Sequence, residues 1–438
     1  MTDHSSLRRL FAKNLTLQSV TEAIGLTSGL LVTLVLSRHL GVAGFGQFNY
    51  LFAFLYFFLA INDLGVNTIV VREISRAPDR AAEIIGTMLS FRLLLGALSL
   101  LVIWAGVFAV GFPRDLRIAL ALFAIVLPLN ALRLPSAVFQ SRLRFEYGAV
   151  ADIVTRVATT GLVLPAAALG AGLIGVTVAL VAGEAIGVIV TGRLAMRLVR
   201  PVWRVDPRYW MLVLRWSLPL GLAGVLSAVV NRVDFFMLER MTDLQQLGLY
   251  GAAYKVVNLV ERLPQMIVVT LYPLMVRQAH EDLRALRALY RRSVLTLGGL
   301  AVVMAVVVTF LAGPIVRTLF GAEFTEAARA LRILVWASAC LYMALPGGFA
   351  LISLGRVRMN LMTLVAGAVT NVALNVIWIP RLGFIGASLA TAAAFAVILV
   401  TTLLAVEWSL ARAMAGAPPP WHDDTLIAAP LVKPVVPE

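Results

Sequence analysis

The sequence predicts an all-α membrane protein that crosses the bilayer about twelve times. Hydrophobic residues make up 60% of its 438 residues and charged residues only 14%, whereas soluble domains average about 25% charged residues. The mean hydropathy is +0.90. The apolar residues are gathered in long runs, and a run of about 20 such residues crosses the hydrocarbon core as a helix. We therefore expect the functional groups to lie inside a helix bundle.

Twelve apolar segments account for most of the chain, and their connections are too short to hold an extramembrane catalytic domain. The predicted spans are 14–37, 43–63, 84–110, 116–139, 147–168, 173–196, 211–237, 246–274, 293–316, 328–352, 358–379 and 384–408. The tail, 413–438, is rich in proline and is predicted to be a disordered cytoplasmic segment. An enzyme acting on membrane-bound sugars would need a sizeable outer loop, so we expect the protein not to be an enzyme.

The basic residues predict the orientation of the chain. With the N-terminus in the cytoplasm, most of the 37 lysine and arginine residues fall on the cytoplasmic side, as the positive-inside rule requires. Both termini are therefore predicted to be cytoplasmic, in the inner membrane of a bacterium. This bias explains most of the net charge of +14 and argues against nucleic-acid binding. The single cysteine and the four scattered histidines indicate no disulfide and no metal site.

Two short matches indicate that the chain repeats itself. Residues 36–48 resemble 238–250, with Gly46 aligned to Gly248, and residues 172–179 resemble 383–390. The matches come in the same order at nearly the same offset. They predict two parallel six-helix lobes, 1–205 and 206–412, which is a design found in transporters.

Several segments resemble the polysaccharide (Wzx-type) flippases of the multidrug/oligosaccharidyl-lipid/polysaccharide exporter superfamily. They are residues 38–48, 63–65, 71–76, Asp234 and 247–255. The resemblance covers all twelve spans and implies a V-shaped pair of lobes with spans 1, 2, 7 and 8 as cavity walls. It further implies that a polyprenyl-pyrophosphate-linked oligosaccharide is moved across the membrane by alternating access, for surface polysaccharide biosynthesis.

Polar groups within these four spans are the candidate site residues. A charge near the bilayer centre costs about 2.5–3.5 kcal/mol on insertion scales, so it should face a partner or a watery cavity. A pyrophosphate needs cations and a sugar chain needs hydrogen-bonding groups. The predicted substrate-binding residues are Lys255, Arg262, Arg232, Glu22, Gln18 and Asn258. Lys255 and Arg262 are expected to face the cleft between the lobes, with Arg232 across from them.

Three acids are candidates for ion coupling. Glu22, Asp234 and Asp63 could bind H⁺ or Na⁺ and tie a conformational change to an ion gradient, without any other cofactor. Asp152 and Arg156 have the i, i+4 spacing of an intrahelical ion pair and are read as structural. Arg92 and Glu184 are read as single structural charges.

Two other transport functions stay open. A multidrug or cation antiporter of the same superfamily would share the spans and the repeat, but its cavity should be acidic and aromatic. A lipid II flippase is a second alternative, although such proteins usually carry two further spans. Direct use of ATP is not expected, since no G-x-x-x-x-G-K-[ST] motif occurs. The expected partners are the lipid-linked oligosaccharide, membrane lipids, and a polysaccharide polymerase or other assembly proteins.

Overall fold

The computed structural model describes residues 4–415, and it describes their side chains except at 4–16, 18, 19, 262, 263, 266 and 269. Residues 416–438 of the predicted tail lie outside the described residues. The described part is helical, with no strand. In chain order the α-helices are α1 His4–Asp63, α2 Val66–Arg76, α3 Ala81–Ala109, α4 Arg114–Phe123, α5 Val126–Ala131, α6 Ala137–Ser141, α7 Phe145–Ala168, α8 Gly172–Met196, α9 Pro207–Met241, α10 Leu244–Glu281, α11 Leu283–Phe320, α12 Ala327–Ser353, α13 Val357–Leu382 and α14 Phe384–Met414.

These helices confirm the predicted all-α membrane fold. Within the described residues, ten helical segments are long and apolar enough to cross a membrane. One of them, Val20–Arg76, holds most of the first predicted span and all of the second. The predicted eighth span lies within α10, which is not among the ten segments found in the described residues and whose 38 residues include Pro264 and Pro273. The protein is therefore a multi-pass membrane protein with the order of spans that the sequence predicts.

The first two spans form one helix that is kinked at a glycine. Within α1, Gly41 has φ 65° and ψ −177°, a backbone conformation that residues with a Cβ rarely adopt. The helix ends at Asp63, where Leu64 and Gly65 also have positive φ and turn the chain into α2. The short helix α2 was not predicted as a separate element. It buries one apolar face against α3 and α6.

The fourth span departs from the prediction of one continuous helix. The predicted segment 116–139 is divided into α4, α5 and α6, with a 3₁₀ turn at Leu134–Ser136 between the last two. Pro128 and Pro135 each remove a backbone donor from the α-helical pattern, which explains why a single helix does not form. The interruption places Arg133 between α5 and the 3₁₀ turn, well inside the apolar stretch.

The chain divides into two compact units, and each has its own core. Unit 1 comprises Met1–Gly251 with Arg317–Phe324, and unit 2 comprises Ala252–Val316 with Thr325–Glu438. Apolar residues of α2, α3 and α6 form a core in unit 1, and those of α10, α11, α12 and α14 form one in unit 2. These units describe packing. The predicted division into two repeats, 1–205 and 206–412, concerns internal symmetry and stays a prediction.

Two glycines from the first sequence match pack against each other's backbone in unit 1. A Cβ added at Gly46 would overlap the carbonyl oxygen of Leu244, and one added at Gly248 would overlap the carbonyl oxygen of Val42. Each glycine thus lies against the backbone of the segment that holds the other. In the second match, Gly386 packs on the backbone of Trp378, whereas Gly175 faces its own helix start at Ala171.

Candidate functional site

The predicted site residues are distributed over both compact units. The structure describes the side chains of six of the eight, and those of Gln18 and Arg262 lie outside the described residues. Unit 1 holds Glu22, Asp63, Arg232 and Asp234, and unit 2 holds Lys255 and Asn258.

An extensive charge cluster of unit 1 is centred on Arg133. One guanidinium nitrogen, Nη2, lies 3.0 Å from Oε2 of Glu184 in α8, and Nη1 lies 3.8 Å from Oδ1 of Asp152 in α7. Nη2 also donates to the Thr155 hydroxyl at 3.1 Å. Arg133 therefore links two acids from two different helices. The intrahelical pair predicted between Asp152 and Arg156 does not form, because Asp152 approaches Arg133 instead.

A cavity of about 260 Å³ adjoins this cluster in unit 1. We call it the charged cavity, and its titratable lining residues are Glu22, Arg133, Asp152 and Arg156. Together with Glu184, which is bonded to Arg133, these residues comprise three acids and two guanidinium groups. Acids and cations from four helical elements of unit 1 thus meet beside this cavity.

Glycines make room for both guanidinium groups of the charged cavity. A Cβ added at Gly25 in α1 would overlap the guanidinium of Arg156, and one added at Gly187 in α8 would overlap the Thr155 hydroxyl and lie 2.6 Å from Nη2 of Arg133. The cavity is thus shaped by residue size as well as by charge. Within the described residues, however, no group of three His, Cys, Asp or Glu side chains is arranged to hold a metal ion.

Asp63, a predicted coupling residue, forms an ion pair at the end of α1. Its Oδ1 lies 3.3 Å from Nη1 of Arg92 in α3, and Arg92 also donates to Oδ1 of Asn130 at 3.2 Å. Arg92 is only 6% exposed, whereas Asp63 is 39% exposed. Arg92 is therefore not a single charge, and the pair joins three elements of unit 1. This arrangement favours a structural role for Asp63.

Arg232 lies against aromatic rings. Its guanidinium carbon is 5.1 Å from the ring centroid of Tyr56 in α1 and 5.8 Å from that of Phe235 in its own helix. Stacking uses the face of the guanidinium, whereas its hydrogen-bond donors lie in the plane of the group. The Tyr56 side chain is partly exposed, so this cation is held close to the surface of unit 1.

Asp234, two residues further along α9, is fully buried. Its Oδ2 accepts a hydrogen bond of 2.6 Å from the hydroxyl of Tyr250 in α10. The Tyr250 ring also packs edge-on against Phe235, with centroids 5.1 Å apart. The acid therefore joins α9 to the start of α10, next to the contact between Gly46 and Gly248.

In unit 2, the polar residues of α10 follow one another at intervals of three. Lys255 and Asn258 are partly exposed, and Glu261 is buried. Oε1 of Glu261 accepts a hydrogen bond of 2.8 Å from the Ser338 hydroxyl in α12. The polar residues of α10 therefore pass from partly exposed positions, Lys255 and Asn258, to a buried position at Glu261.

Sequence reasoning missed Arg133, Tyr56 and Ser338. Arg133 gave a weak signal, since it follows Asn130 in a stretch interrupted by two prolines, which is unusual within a span. The ring of Tyr56 and the hydroxyl of Ser338 gave none, because aromatic residues and serines are common in membrane helices and their partners lie far away in the sequence.

Comparison with known proteins decides the family. Residues 11–279 match the model of the family described as "Polysaccharide biosynthesis protein", which is more than half of the chain. The chain belongs to this family. The polysaccharide-related resemblance in the sequence is thereby confirmed at the level of the family.

One curated relative is the "EPS I polysaccharide export inner membrane protein EpsE" of Ralstonia solanacearum. It is 28% identical over 141 residues, which is 32% of this chain and 32% of the relative. The match therefore spans about a third of the relative's length.

Solved structures share the fold over most of the chain. The lipid II flippase MurJ in an inward closed conformation has a TM-score of 0.75 at 13% identity, covering 91% of this chain and 90% of that one. An inward-facing multidrug resistance MATE family transporter of the MOP superfamily has a TM-score of 0.74 at 15% identity, covering 89% and 94%. At such identities the likeness concerns the fold, which is that of MOP-superfamily transporters.

Proposed function

We propose that this chain translocates a polyprenyl-pyrophosphate-linked oligosaccharide across the bacterial cytoplasmic membrane by alternating access. The observation that carries the proposal is the placement of Arg232 and Lys255 within α9 and α10, in a chain that belongs to a family of polysaccharide biosynthesis proteins. A cation among apolar residues raises the free energy of a membrane helix, so we expect it to be kept only where it has a function. The role that fits this family is binding of an anionic lipid-linked sugar.

The proposed ligand has three chemically different parts. Its pyrophosphate is best bound by charged hydrogen-bond donors in a low-dielectric setting, where the attraction is strong. Its sugars need amide and hydroxyl groups, for which Asn258 and Gln18 are the candidates. Its lipid can stay in the bilayer. We assign the pyrophosphate to Arg232, Lys255 and Arg262, each to be tested by its own variant.

Arg232 is suited to this task by its stacking on Tyr56. The guanidinium carbon lies 5.1 Å from the Tyr56 ring centroid, and a guanidinium carries paired donors that match two oxygens of a phosphate group. The arrangement also costs less entropy on binding than a freely rotating side chain would. Replacement by lysine would lose both the stacking and the paired donors.

Ion coupling is proposed at Glu22. Among the three predicted acids, Glu22 is the one that lines the charged cavity. Uptake of H⁺ or Na⁺ by Glu22 would add one positive charge to that cluster. Because neutral and charged clusters favour different packing of the surrounding helices, this step can drive a conformational change.

The proposed setting follows from the same assignment. Both termini are placed in the cytoplasm, where the ligand is assembled, and the translocated sugar is handed to a polysaccharide polymerase or another assembly protein outside. Labelling of single cysteines should find the 198–208 connection protected from outside the cell and the 239–244 turn accessible. The reverse pattern would contradict the orientation.

The decisive experiment is complementation of a flippase-deficient strain, scored together with the amount of protein in the membrane. Lys255→Ala and Arg262→Ala should lose surface polysaccharide at normal protein levels, whereas Lys255→Arg should keep much of it because the charge is kept. Arg208→Ala, which changes an exposed cation at the start of α9, is the matched control and should be neutral. A well-inserted Lys255→Ala, Arg262→Ala double variant with normal polysaccharide would contradict the assignment.

The same strains separate the two alternative transport functions. Rescue of a lipid II flippase depletion would favour that substrate, and drug resistance in an efflux-deficient strain would favour an antiporter. The proposed function predicts neither result. The same expressed protein is used for all three readouts, so a failure of expression would abolish all three signals together.

A further inference from the structure

In two helices of unit 2, an internal proline interrupts the backbone hydrogen-bond pattern. Pro264 lies inside α10 and Pro346 lies inside α12. A proline has no backbone N–H, and its ring displaces the carbonyl of the residue four positions earlier. Those residues are Val260 in α10 and Tyr342 in α12. Each helix therefore carries one carbonyl that its own proline deprives of the usual intrahelical donor.

Tyr342 connects these two interruptions. Its hydroxyl donates a hydrogen bond to the carbonyl oxygen of Val260, the group released by Pro264. Its own carbonyl is the one released by Pro346. The Tyr342 side chain is buried, with 1% exposure, so this bond lies in the core of unit 2. The backbone of Tyr342 thus carries the carbonyl released by Pro346, and its side chain donates to the carbonyl released by Pro264.

The surroundings make this hydrogen bond important for α10. Tyr342 packs in an apolar cluster with Ala301, Ala339, Val260 and Met304, where a carbonyl without a donor is strongly unfavourable. One turn earlier in α12, Ser338 donates to Glu261, the residue after Val260. Two hydroxyl groups of α12 therefore hold consecutive residues of α10 beside the proline.

We propose that Tyr342 is a positioning residue, whose hydrogen bond to Val260 fixes the direction of α10 at Pro264. A helix with a released carbonyl bends easily at that point. The bond therefore selects one direction for the preceding turns, which carry Lys255 and Asn258. What those residues bind rests on the proposed function, but the hydrogen bond at the proline does not. A change of direction at Pro264 gives α10 a way to present Lys255 and Asn258 differently in two transport states.

Four variants test the proposal. Tyr342→Phe removes only the hydroxyl. Pro264→Ala restores the backbone N–H that can satisfy the Val260 carbonyl, so the hydroxyl is no longer needed. The double variant combines the two. Tyr290→Phe is the matched control, because Tyr290 is also buried in unit 2 and its hydroxyl makes no hydrogen bond within the described part of the chain.

The readout is the accessibility of a cysteine placed at Asn258. The only native cysteine, Cys340, is first replaced by serine. Labelling with a membrane-impermeant maleimide is then compared between intact cells and inside-out vesicles. Tyr342→Phe should change the ratio of the two labelling rates by at least about fivefold, as expected for the loss of one buried hydrogen bond that is made in only one state. Tyr290→Phe should leave the ratio unchanged.

The Pro264→Ala background supplies the decisive comparison. There the Tyr342→Phe change should alter the ratio less than about twofold, since the backbone donor replaces the hydroxyl. An inserted Tyr342→Phe protein with an unchanged ratio would overturn the proposal, and so would an equal effect in both backgrounds. If Tyr342→Phe is poorly inserted, restoration of its membrane level by Pro264→Ala supports the proposal, and failure to restore it overturns it.

This test is separate from that of the proposed function, because labelling requires no substrate. A wild-type chain that fails to restore polysaccharide while its labelling ratio responds as expected would reject the substrate and keep the role of Tyr342. Restored polysaccharide with an unresponsive ratio would reject the role of Tyr342 alone.

Discussion

Two regions of the molecule stabilise polar groups among apolar helices in different ways. In unit 1, the cluster around Arg133 pairs charges across separate helices, with Glu184 and Asp152. In unit 2, the contact between α10 and α12 uses hydroxyl groups, since Tyr342 and Ser338 donate to a carbonyl and a carboxylate. The first region contains paired charges, and the second contains hydroxyl donors beside two prolines.

This difference predicts different sensitivities. Removing one member of a buried ion pair leaves an uncompensated charge and costs about 3–5 kcal/mol. Removing one neutral hydrogen bond costs about 1–3 kcal/mol when its partner stays buried. Unit 1 should therefore respond to protonation and ions, and the α10–α12 region of unit 2 should respond to changes in helix geometry.

The largest effect is expected from Arg133→Ala. Two carboxylates, Glu184 and Asp152, lose their common cation inside an apolar bundle. Because all three side chains are partly exposed, we expect a loss of about 2–3 kcal/mol, below the value for a fully buried pair. The measurement is the amount of protein in the membrane, together with thermal unfolding of the purified protein.

A second substitution and a control sharpen this test. Glu184→Gln combined with Arg133→Ala should recover part of the stability, since one of the unpaired charges is removed. Arg142→Ala should be nearly neutral, because Arg142 is exposed and donates only to the Leu198 carbonyl. If Arg133→Ala lowers the stability no more than Arg142→Ala does, charge pairing does not stabilise the Arg133 cluster of unit 1.

A smaller effect is expected from adding one methyl group at the reciprocal glycine contact. Gly46→Ala and Gly248→Ala would each push a Cβ into a backbone carbonyl and should cost about 1–3 kcal/mol, the usual range for overpacking. Because both changes separate the same two segments, the double variant should cost less than the sum of the single ones.

The control for the glycine contact is Gly29→Ala in the same helix α1. No atom lies within 4 Å of a Cβ added there, so the substitution should be neutral or stabilising, as alanine favours a helix over glycine. Thermal unfolding of the purified variants gives the ranking. Equal effects at Gly29 and Gly46 would show that the contact between the matched segments is unimportant.

The spans could be predicted because their signal is local. A run of apolar residues long enough to cross a bilayer forms a helix whatever it packs against, and the order of all twelve spans follows from this. The match that aligned Gly46 with Gly248 indicated two special positions, but no local pattern shows that the two glycines contact each other. The helix α2 and the division of the fourth span were not predicted, since both depend on turns and prolines within apolar sequence.

The pairing of side chains could not be predicted, because it depends on distant elements. Arg133 finds its acids in α7 and α8, and the i, i+4 spacing of Asp152 and Arg156 suggested a nearer partner that is not used. The prolines of α10 and α12 are visible in the sequence, but nothing there indicates that Tyr342 satisfies the carbonyl released by Pro264. Local patterns thus predict elements, and packing decides which polar groups meet.

The smallest effect is expected from a charge cluster in unit 2 that lies near a helix end. Oε2 of Glu407 in α14 lies 2.6 Å from Nη2 of Arg287, and Oε1 lies 2.9 Å from Nε of Arg291. This cluster resembles that of Arg133 in composition, but Glu184 lies midway along its helix, whereas Glu407 lies in the last turns of α14 with exposed partners. Water and salt can therefore reach Glu407.

Glu407→Gln should cost only about 0.2–1 kcal/mol, the range for exposed ion pairs, and should lower the unfolding temperature by about 2 °C or less. High salt should reduce the difference further, because exposed charges are screened. The measurement is thermal unfolding at low and high salt, beside Arg133→Ala. If Glu407→Gln lowers the stability as much as Arg133→Ala does, and if salt does not change the effect, the position of a cluster along its helix does not determine its contribution to stability. The two clusters would then differ only in the number of their acidic and basic residues.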